Sequence, residues 1–343
     1  MTIPPSTPDP LAAIGWTDAY ASGLDDEAGA LQPARVAASH GIAVTLWTRE
    51  GVRNGPLANT LSEPPAVGDW ALARPTAGDW LVQRLLPRRT QFVRHASGQE
   101  TRPQVIAANV DRVLVATGLD GDFNHRRLER YLLALATSGA ETTLVLTKAD
   151  RCSDVAAYRA QAAVMAPTVV VSARTGEGMD ALRALIPPGA TVALVGSSGV
   201  GKSTLVNALM GGERASTGAV RSFDNKGRHT TTHREMFVVP GGGVVVDTPG
   251  MRGLEPWADG GTLAALDAMF GEVSAAAGGC RFTDCDHAAT PDCALRAGVS
   301  AGALSSERVR SWVTLHAELA QQAVLRVERA EKLALKARKG RRG

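Results

Sequence analysis

A glycine-rich loop set between a strand and a helix commits the middle of this chain to an α/β sheet. Gly196-Ser197-Ser198-Gly199-Val200-Gly201-Lys202-Ser203-Thr204 fits the spacing G-x-x-x-x-G-K-[ST]. Before it, Thr191-Val192-Ala193-Leu194-Val195 is an apolar, β-rich run suited to a buried parallel strand; after it, Leu205-Val206-Asn207-Ala208-Leu209 continues as a helix. That arrangement lets loop N–H groups wrap phosphates while the helix N-terminus faces their negative charge. Lys202 is expected to reach the β- and γ-phosphates, and Ser203 to ligate Mg²⁺.

The segments around this loop come in an unusual order. Asp247-Thr248-Pro249-Gly250 follows it, while two base-reading segments, Thr147-Lys148-Ala149-Asp150 and Ser172-Ala173, precede it. In an ordinary GTPase the phosphate loop comes first and the base readers last. The domain therefore reads as circularly permuted, with its switch segments near its C-terminal end and a cysteine–histidine cluster next.

Each segment has a chemical task. Asp247 ends the run Gly243-Val244-Val245-Val246, where a strand-end carboxylate can hold Mg²⁺ directly or through water. Gly250 supplies a backbone N–H able to sense a γ-phosphate. Upstream, Thr230, Thr231 and Thr232 offer hydroxyls for a second Mg²⁺ ligand; Thr231 is the candidate, and the spacing leaves its neighbours open. Asp150 can accept both guanine N1–H and N2–H₂, a pattern adenine lacks, so a site built on it selects GTP over ATP. Lys148 would lay its stem along the base, and the Ala173 N–H would donate to guanine O6. Both segments follow β-type runs, Leu144-Val145-Leu146 and Val169-Val170-Val171. Thr147 stands where Asn is usual, which is expected to weaken a loop-bracing hydrogen bond without changing base identity.

Cys280-x₄-Cys285-x-His287-x₅-Cys293 gathers three thiols and one imidazole, a closed tetrahedral set suited to one structural Zn²⁺. Free buried thiols or a disulfide are the alternatives, and a disulfide is disfavoured in a cytosolic chain. Cys152 is expected simply to be packed.

At 343 residues the chain has room for two or three domains. No apolar run is long enough to span a bilayer and the N-terminus lacks a basic signal-peptide start, so a soluble, cytoplasmic protein is expected. The net charge of +3 is unevenly spread. Residues 1–30 carry Asp9, Asp18, Asp25, Asp26 and Glu27 without Lys or Arg, whereas the tail holds Arg326, Arg329, Lys332, Lys336, Arg338, Lys339, Arg341 and Arg342. Such a tail suits RNA phosphates, and a solubilising helix end is an equal alternative.

The expected architecture is multidomain. Residues 1–33 form a flexible N-terminal extension, poor in apolar periodicity. Residues 34–102 alternate β-type runs (Ile42 to Trp47, Trp70 to Ala73, Trp80 to Leu86) with turns, as in a Greek-key barrel of OB-fold type. Its Arg84, Arg88, Arg89 and Arg94 suggest a nucleic-acid face, although OB barrels also bind proteins; Trp47, Trp70 and Trp80 are expected in the core. Residues 103–257 form the α/β circularly permuted P-loop GTPase domain, with a strand at Val113 to Ala116 and a helix at Arg126 to Leu135. Residues 258–343 form a small helical zinc-binding domain, with a helix at Leu263 to Phe270 and a basic C-terminal helix N-capped by Ser305.

Together these features resemble one family, the ribosome small subunit-dependent GTPase A group (RsgA, YjeQ/YloQ) of circularly permuted GTPases. The resemblance spans roughly residues 35–325 and includes Leu86-Pro87-Arg88-Arg89-Thr90, Gln104 to Asp111, Phe123-Asn124 with Arg127 to Leu132, and Gly227-Arg228-His229-Thr230-Thr231-Thr232. It implies an OB domain, a permuted GTPase domain and a zinc domain. It further implies GTP hydrolysis to GDP stimulated by the small ribosomal subunit, contact with 16S rRNA, and late maturation of that subunit. A monomer with no membrane partner is expected, using Mg²⁺ with GTP.

Many GTPases place Gln directly after the second switch glycine to orient the attacking water. Here that position is Met251, whose thioether cannot do so. His229 is therefore the catalytic candidate once the ribosome orders its loop; an arginine or rRNA group from the partner is the rival source, and an rRNA contact is the alternative role for His229.

Overall fold

Close contacts divide the chain into two units, Met1–Asn124 with Ser138–Gly253 and His125–Thr137 with Leu254–Gly343. The structure, a computed structural model, describes residues 9–21, 31–94, 104–211, 235–247 and 260–340.

The first unit opens with a 3-10 turn (Ala12–Ile14) and a short helix α1 (Asp18–Ala21). Then come β1 (Gln32–Ser39), β2 (Ala43–Thr48), β3 (Gly51–Pro56), β4 (Trp70–Pro75) and β5 (Trp80–Leu85). β1 runs antiparallel to both β2 and β4, β2 to β3, and β4 to β5. A parallel bridge, Leu57↔Val82, joins the end of β3 to β5. The order β1-β2-β3-β5-β4-β1 closes the sheet on itself, which is the OB barrel. Period-two patterning drives it: in β2, Val44, Leu46 and Thr48 are buried while Ala43, Thr45 and Trp47 are half-buried. Trp70 and Trp80 are core residues as expected, Trp47, also expected in the core, is only half-buried because it falls on the outer face of β2, and Ile42 lies outside β2 in an exposed turn.

A two-stranded ribbon, β6 (Gln91–Arg94) and β7 (Gln104–Ala108), leads out of the barrel. Next come β8 (Arg112–Gly118), α2 (His125–Leu135, in the second unit), β9 (Glu141–Thr147), α3 (Val155–Ala163), β10 (Thr168–Val170) and α4 (Met179–Ala184). β11 (Thr191–Gly196), α5 (Lys202–Leu209), β12 (Glu235–Val238) and β13 (Val244–Asp247) complete the unit. The spatial order is β10-β9-β8-β11-β13-β12, parallel throughout except for β12. All six residues of β11 are buried, as a parallel strand covered on both faces demands. The barrel joins this sheet where β1 meets β12 at Ala38↔Glu235.

A polar knot fastens barrel, ribbon and sheet. Asn109, at a left-handed φ of 54°, accepts from the Tyr20 hydroxyl at 3.0 Å and the Arg89 N–H at 2.9 Å, and donates to the Gly68 carbonyl at 3.1 Å. Buried Arg35 donates to the carbonyls of Ile14 and Asn109 and lies 5.1 Å from the centroid of the Trp70 ring; burial pushes its pKa down to about 10. Leu11, Ile14 and Tyr20 are buried here, so the stretch expected to be flexible contains a folded segment at residues 9–21. Of the arginines expected on a nucleic-acid face, Arg88 is nearly buried, whereas Arg89 keeps an exposed side chain. Arg88 clamps Asp69 with bonds of 2.7 and 2.8 Å and reaches Glu63 at 2.7 Å, while Arg89 donates to Tyr20 and Asp111. The Arg94 side chain lies outside the described residues.

The second unit is helical: α2, α6 (Gly260–Met269), α7 (Gly271–Ala277), α8 (Ala294–Ser300) and α9 (Ser306–Gly340). Leu133 of α2 shares a core with Leu266, Phe270, Val273, Leu295, Trp312, Leu315 and Leu319. Arg130 pairs with Glu318 of α9. The apolar positions foreseen in α2 (Leu128, Tyr131, Leu132 and Leu135) are buried, and Ser305 accepts from the Arg308 N–H at 3.4 Å at the start of α9. Among the described residues no helix is long and apolar enough to cross a membrane.

Asp69 carries no side-chain exposure and Arg88 only 10%. Burial raises the Asp69 pKa, while its hydrogen bonds raise that of Arg88. Asp69→Ala would leave a nearly buried guanidinium with Glu63 alone, and is expected to destabilise the first unit by about 3 kcal/mol. The urea midpoint by tryptophan fluorescence checks this. Arg49→Ala, which loses only an exposed pair with Asp9, is expected to cost under about 1 kcal/mol.

Candidate functional site

Because β8, β9, β10, β11 and β13 are parallel, their carboxyl ends lie along one edge of the sheet, and that edge collects the motif residues. β11 pairs Gly196 with Ala116 of β8 and Leu194 with Asp247 of β13. The phosphate loop thus starts between its two structural neighbours. Gly196 leaves the strand at φ +147°, and a Cβ there would stand 2.4 Å from the Ala116 carbonyl oxygen, so the exit requires glycine. Lys202 opens α5, and its ammonium donates to the carbonyls of Gly196 at 2.8 Å and Ser197 at 2.7 Å. Val200 is buried, whereas Ser203 and Thr204 stand exposed on the first turn of α5. Asp247 closes β13 as a buried carboxylate at the strand end. Gly250, Met251, His229 and Thr230 to Thr232, Thr231 among them, lie outside the described residues.

The base-reading segments reach the same edge from β9 and β10. Thr147 is buried at the end of β9, with its hydroxyl 2.7 Å from the Val200 carbonyl and 3.3 Å from that of Thr117. Its single hydrogen serves the nearer acceptor. The threonine therefore braces the phosphate loop, its short side chain reaching because Val200 comes close. Lys148, at φ 59°, donates to the Gly199 carbonyl at 2.7 Å and to Asp120 at 2.6 Å. Buried Ala149 sends its N–H to the Val171 carbonyl at 3.2 Å. Asp150 accepts from the Ser172 hydroxyl at 2.6 Å and from Arg174 Nε at 2.8 Å. The Ser172 bond outweighs partial desolvation, Arg174 adds to it, and the carboxyl is held below the usual carboxylate range. Asp150 is thus an ionised double acceptor at neutral pH. Half-buried Ala173 follows buried Ser172 directly.

Three residues here fall outside the sequence motifs: Asp120, Asp122 and Arg174. Asp122 accepts from the Ser197 hydroxyl at 2.8 Å. The only local signals for them were two acids in the turn after β8 and a basic residue just past Ser172-Ala173.

In the second unit, the ligand atoms of Cys280, Cys285, His287 and Cys293 all lie within 4.8 Å of one another. His287 Nδ1 is 3.7 Å from Cys280 Sγ and 3.8 Å from Cys293 Sγ. A tetrahedron with metal bonds of about 2.0–2.3 Å has edges of about 3.3–3.8 Å, so the spacing suits a four-coordinate ion. Burial, with His316 nearby, lowers the His287 pKa and keeps a neutral imidazole with a lone pair to offer. Burial raises the Cys285 thiol; at Cys293 the same push is outweighed by the Arg296 N–H and by neighbouring thiols, and the net shift is downward. Asp286 accepts from the N–H groups of Ala288, Ala289 and Thr290 and from the Thr290 hydroxyl, which fixes the turn carrying His287. All the cysteines are free thiols.

Thr147→Val keeps the shape of the side chain and removes the bond to Val200. It is expected to weaken GTP and GDP binding by about 5–10-fold, on the order of 1 kcal/mol for one hydrogen bond. Thr147→Asn, which restores a donor, should stay near the wild type by isothermal titration calorimetry.

The RsgA GTPase family profile matches residues 85–257. The chain is 43% identical over 334 residues to the small ribosomal subunit biogenesis GTPase RsgA of Opitutus terrae, covering 91% of this chain and 90% of that one. Among solved structures, YjeQ from Thermotoga maritima is similar with a TM-score of 0.61 at 25% identity, covering 84% of this chain and 99% of that chain. YloQ, described as a circularly permuted GTPase, shares the fold with a TM-score of 0.57 at 19% identity, covering 88% and 99%. With its base readers ahead of its phosphate loop on one sheet edge, the chain belongs to the RsgA family of GTP hydrolases.

Proposed function

We propose that this protein hydrolyses GTP to GDP and phosphate during late maturation of the small (30S) ribosomal subunit, binding that subunit through 16S rRNA and being stimulated by it. One observation carries the nucleotide half. The base-reading segment is tied directly to the phosphate loop by the Thr147–Val200 and Lys148–Gly199 hydrogen bonds, so base and phosphate sites form one surface. The names of relatives matching most of the chain support the ribosomal half.

In this reading the purine lies along the Lys148 stem, its N1–H and N2–H₂ donate to Asp150, and the Ala173 N–H donates to O6. Ser172 holds Asp150 in place. N–H groups from Gly196 to Thr204 wrap the phosphates, and the Lys202 ammonium exchanges loop carbonyls for β- and γ-phosphate oxygens. Ser203, Asp247 and Thr231 hold Mg²⁺, which when bound neutralises charge on the phosphate oxygens. Gly250 senses the γ-phosphate, and His229 orients the attacking water when the subunit is bound. Cys280, Cys285, His287 and Cys293 hold one structural Zn²⁺; four protein ligands leave no open position for chemistry. The protein acts as a cytoplasmic monomer without a membrane partner.

GTP turnover is expected to be slow for the protein alone and faster by on the order of 10³ with purified small subunits, with ATP a poor substrate. His229→Ala should lose the stimulation while still binding subunits; full stimulation in that variant removes the catalytic role. GTP-selective binding without any stimulation would instead favour an rRNA-binding maturation factor tuned by nucleotide. For the metal, atomic absorption should find one zinc per chain, reduced in Cys285→Ser together with the thermal stability of the helical unit. A folded wild-type protein free of zinc would overturn that assignment.

A further inference from the structure

The turn after β8 brings a carboxylate to the base-reading lysine. Asp120 Oδ2 accepts from Lys148 Nζ at 2.6 Å, with both side chains 25% exposed, while the same ammonium donates to the Gly199 carbonyl at 2.7 Å. The two acceptors come from different loops, so they fix both the direction and the far end of the lysine stem. Lys148 in turn holds the Asp120 carboxyl below its usual range. Arg151 stands 3.9 Å from the same carboxylate oxygen.

The turn is shaped to deliver this group. A Cβ on Gly118 would lie 2.5 Å from Asp120 Oδ1, so glycine there leaves the carboxylate room to take this position. Gly121 takes φ +99° immediately after it. The Leu119 N–H donates to the Thr147 carbonyl at 2.9 Å, which ties the turn to the start of the base-reading segment. Two residues on, Asp122 accepts from the Gly118 N–H at 3.3 Å and from Ser197 of the phosphate loop at 2.8 Å. One short turn thus touches the base reader and the phosphate loop.

We propose that Asp120 is a positioning residue for guanine nucleotides: it anchors the Lys148 ammonium so that the aliphatic stem presents a fixed apolar wall to the purine. This rests on the reading of Lys148 as the side chain that lies along the base. A lysine stem with one anchor keeps rotamer freedom that binding must freeze, and the second anchor removes that cost beforehand. The contribution falls on ground-state binding of GTP and GDP alike and leaves the chemical step unaltered.

The test is calorimetric binding of GTP, GDP and inorganic tripolyphosphate to the full chain, wild type against Asp120→Ala, Asp120→Asn, Lys148→Ala and the Asp120→Ala/Lys148→Ala double variant. Asp120→Ala is expected to weaken GTP and GDP by about 5-fold, as for a partly exposed ion pair. Tripolyphosphate affinity and kcat stay unchanged, and KM for GTP rises by the same factor. Asp120→Asn, which keeps an acceptor of the same shape, falls between, and the double variant loses no more than Lys148→Ala alone. High salt narrows the gap between wild type and Asp120→Ala. Equal loss for GTP and tripolyphosphate would overturn the proposal, because a distorted site lowers both. So would wild-type affinity in Asp120→Ala while Lys148→Ala binds weakly. Wild-type affinity in Lys148→Ala would instead remove the reading of Lys148 itself, and the proposal with it.

Discussion

The first unit depends on the parallel pairing of β11 with β8 on one side and β13 on the other. That pairing sets Gly196 beside Ala116 and brings Asp247 to the end of the neighbouring strand, so the glycine-rich loop and the carboxylate proposed to hold Mg²⁺ share an edge. Sheet pairing is indifferent to the order in which strands are synthesised. A chain cut and rejoined elsewhere can rebuild the same edge provided each connection still crosses correctly. The Thr147–Val200 hydrogen bond spans residues far apart in sequence and adjacent in space, and in this permuted chain the base reader comes first. Permutation therefore changes which segments follow the switches and leaves the site chemistry where the sheet puts it.

The legible features were those in which backbone chemistry forces a sequence. A phosphate loop must have glycine where a Cβ would strike Ala116, and a parallel strand buried on both faces must read as an unbroken apolar run, as β11 and β13 do. Alternation in β2 and the apolar spacing of α2 were readable for the same reason. Side-chain partnerships set by tertiary contact were not. Arg88 looks like a surface cation until Asp69 is brought beneath it, and the Asp9–Leu11 turn and Tyr20 look like an unstructured tail until Arg35 and Asn109 meet them. The brace at Thr147 is legible as a position, but the approach of the Val200 carbonyl that it bonds is not. The share of α2 in the helical core is likewise invisible locally. Its sequence position lies between two strands of the sheet, yet Leu133 and Arg130 find their partners in α6, α7 and α9.

The nucleotide edge is a network of engaged charges. Asp150 accepts from Ser172 and Arg174, and Lys202 donates to Gly196 and Ser197. Under the proposed function, a nucleotide entering this edge would exchange partners with these satisfied groups, so each such contact would contribute only the difference between two hydrogen bonds. Affinity would be moderated in consequence, which would suit a GTP hydrolase that releases GDP to turn over. Selectivity escapes that moderation. In the proposed reading guanine would bring two donors to the ionised Asp150, whereas adenine would bring an unprotonated N1 and no amino group at C2. Seating adenine there would set its lone pair against a carboxylate held ionised by Ser172, while displacing Arg174 for nothing in return. Under the proposed function, the same engaged network that would limit how tightly the site binds would therefore sharpen which base it accepts.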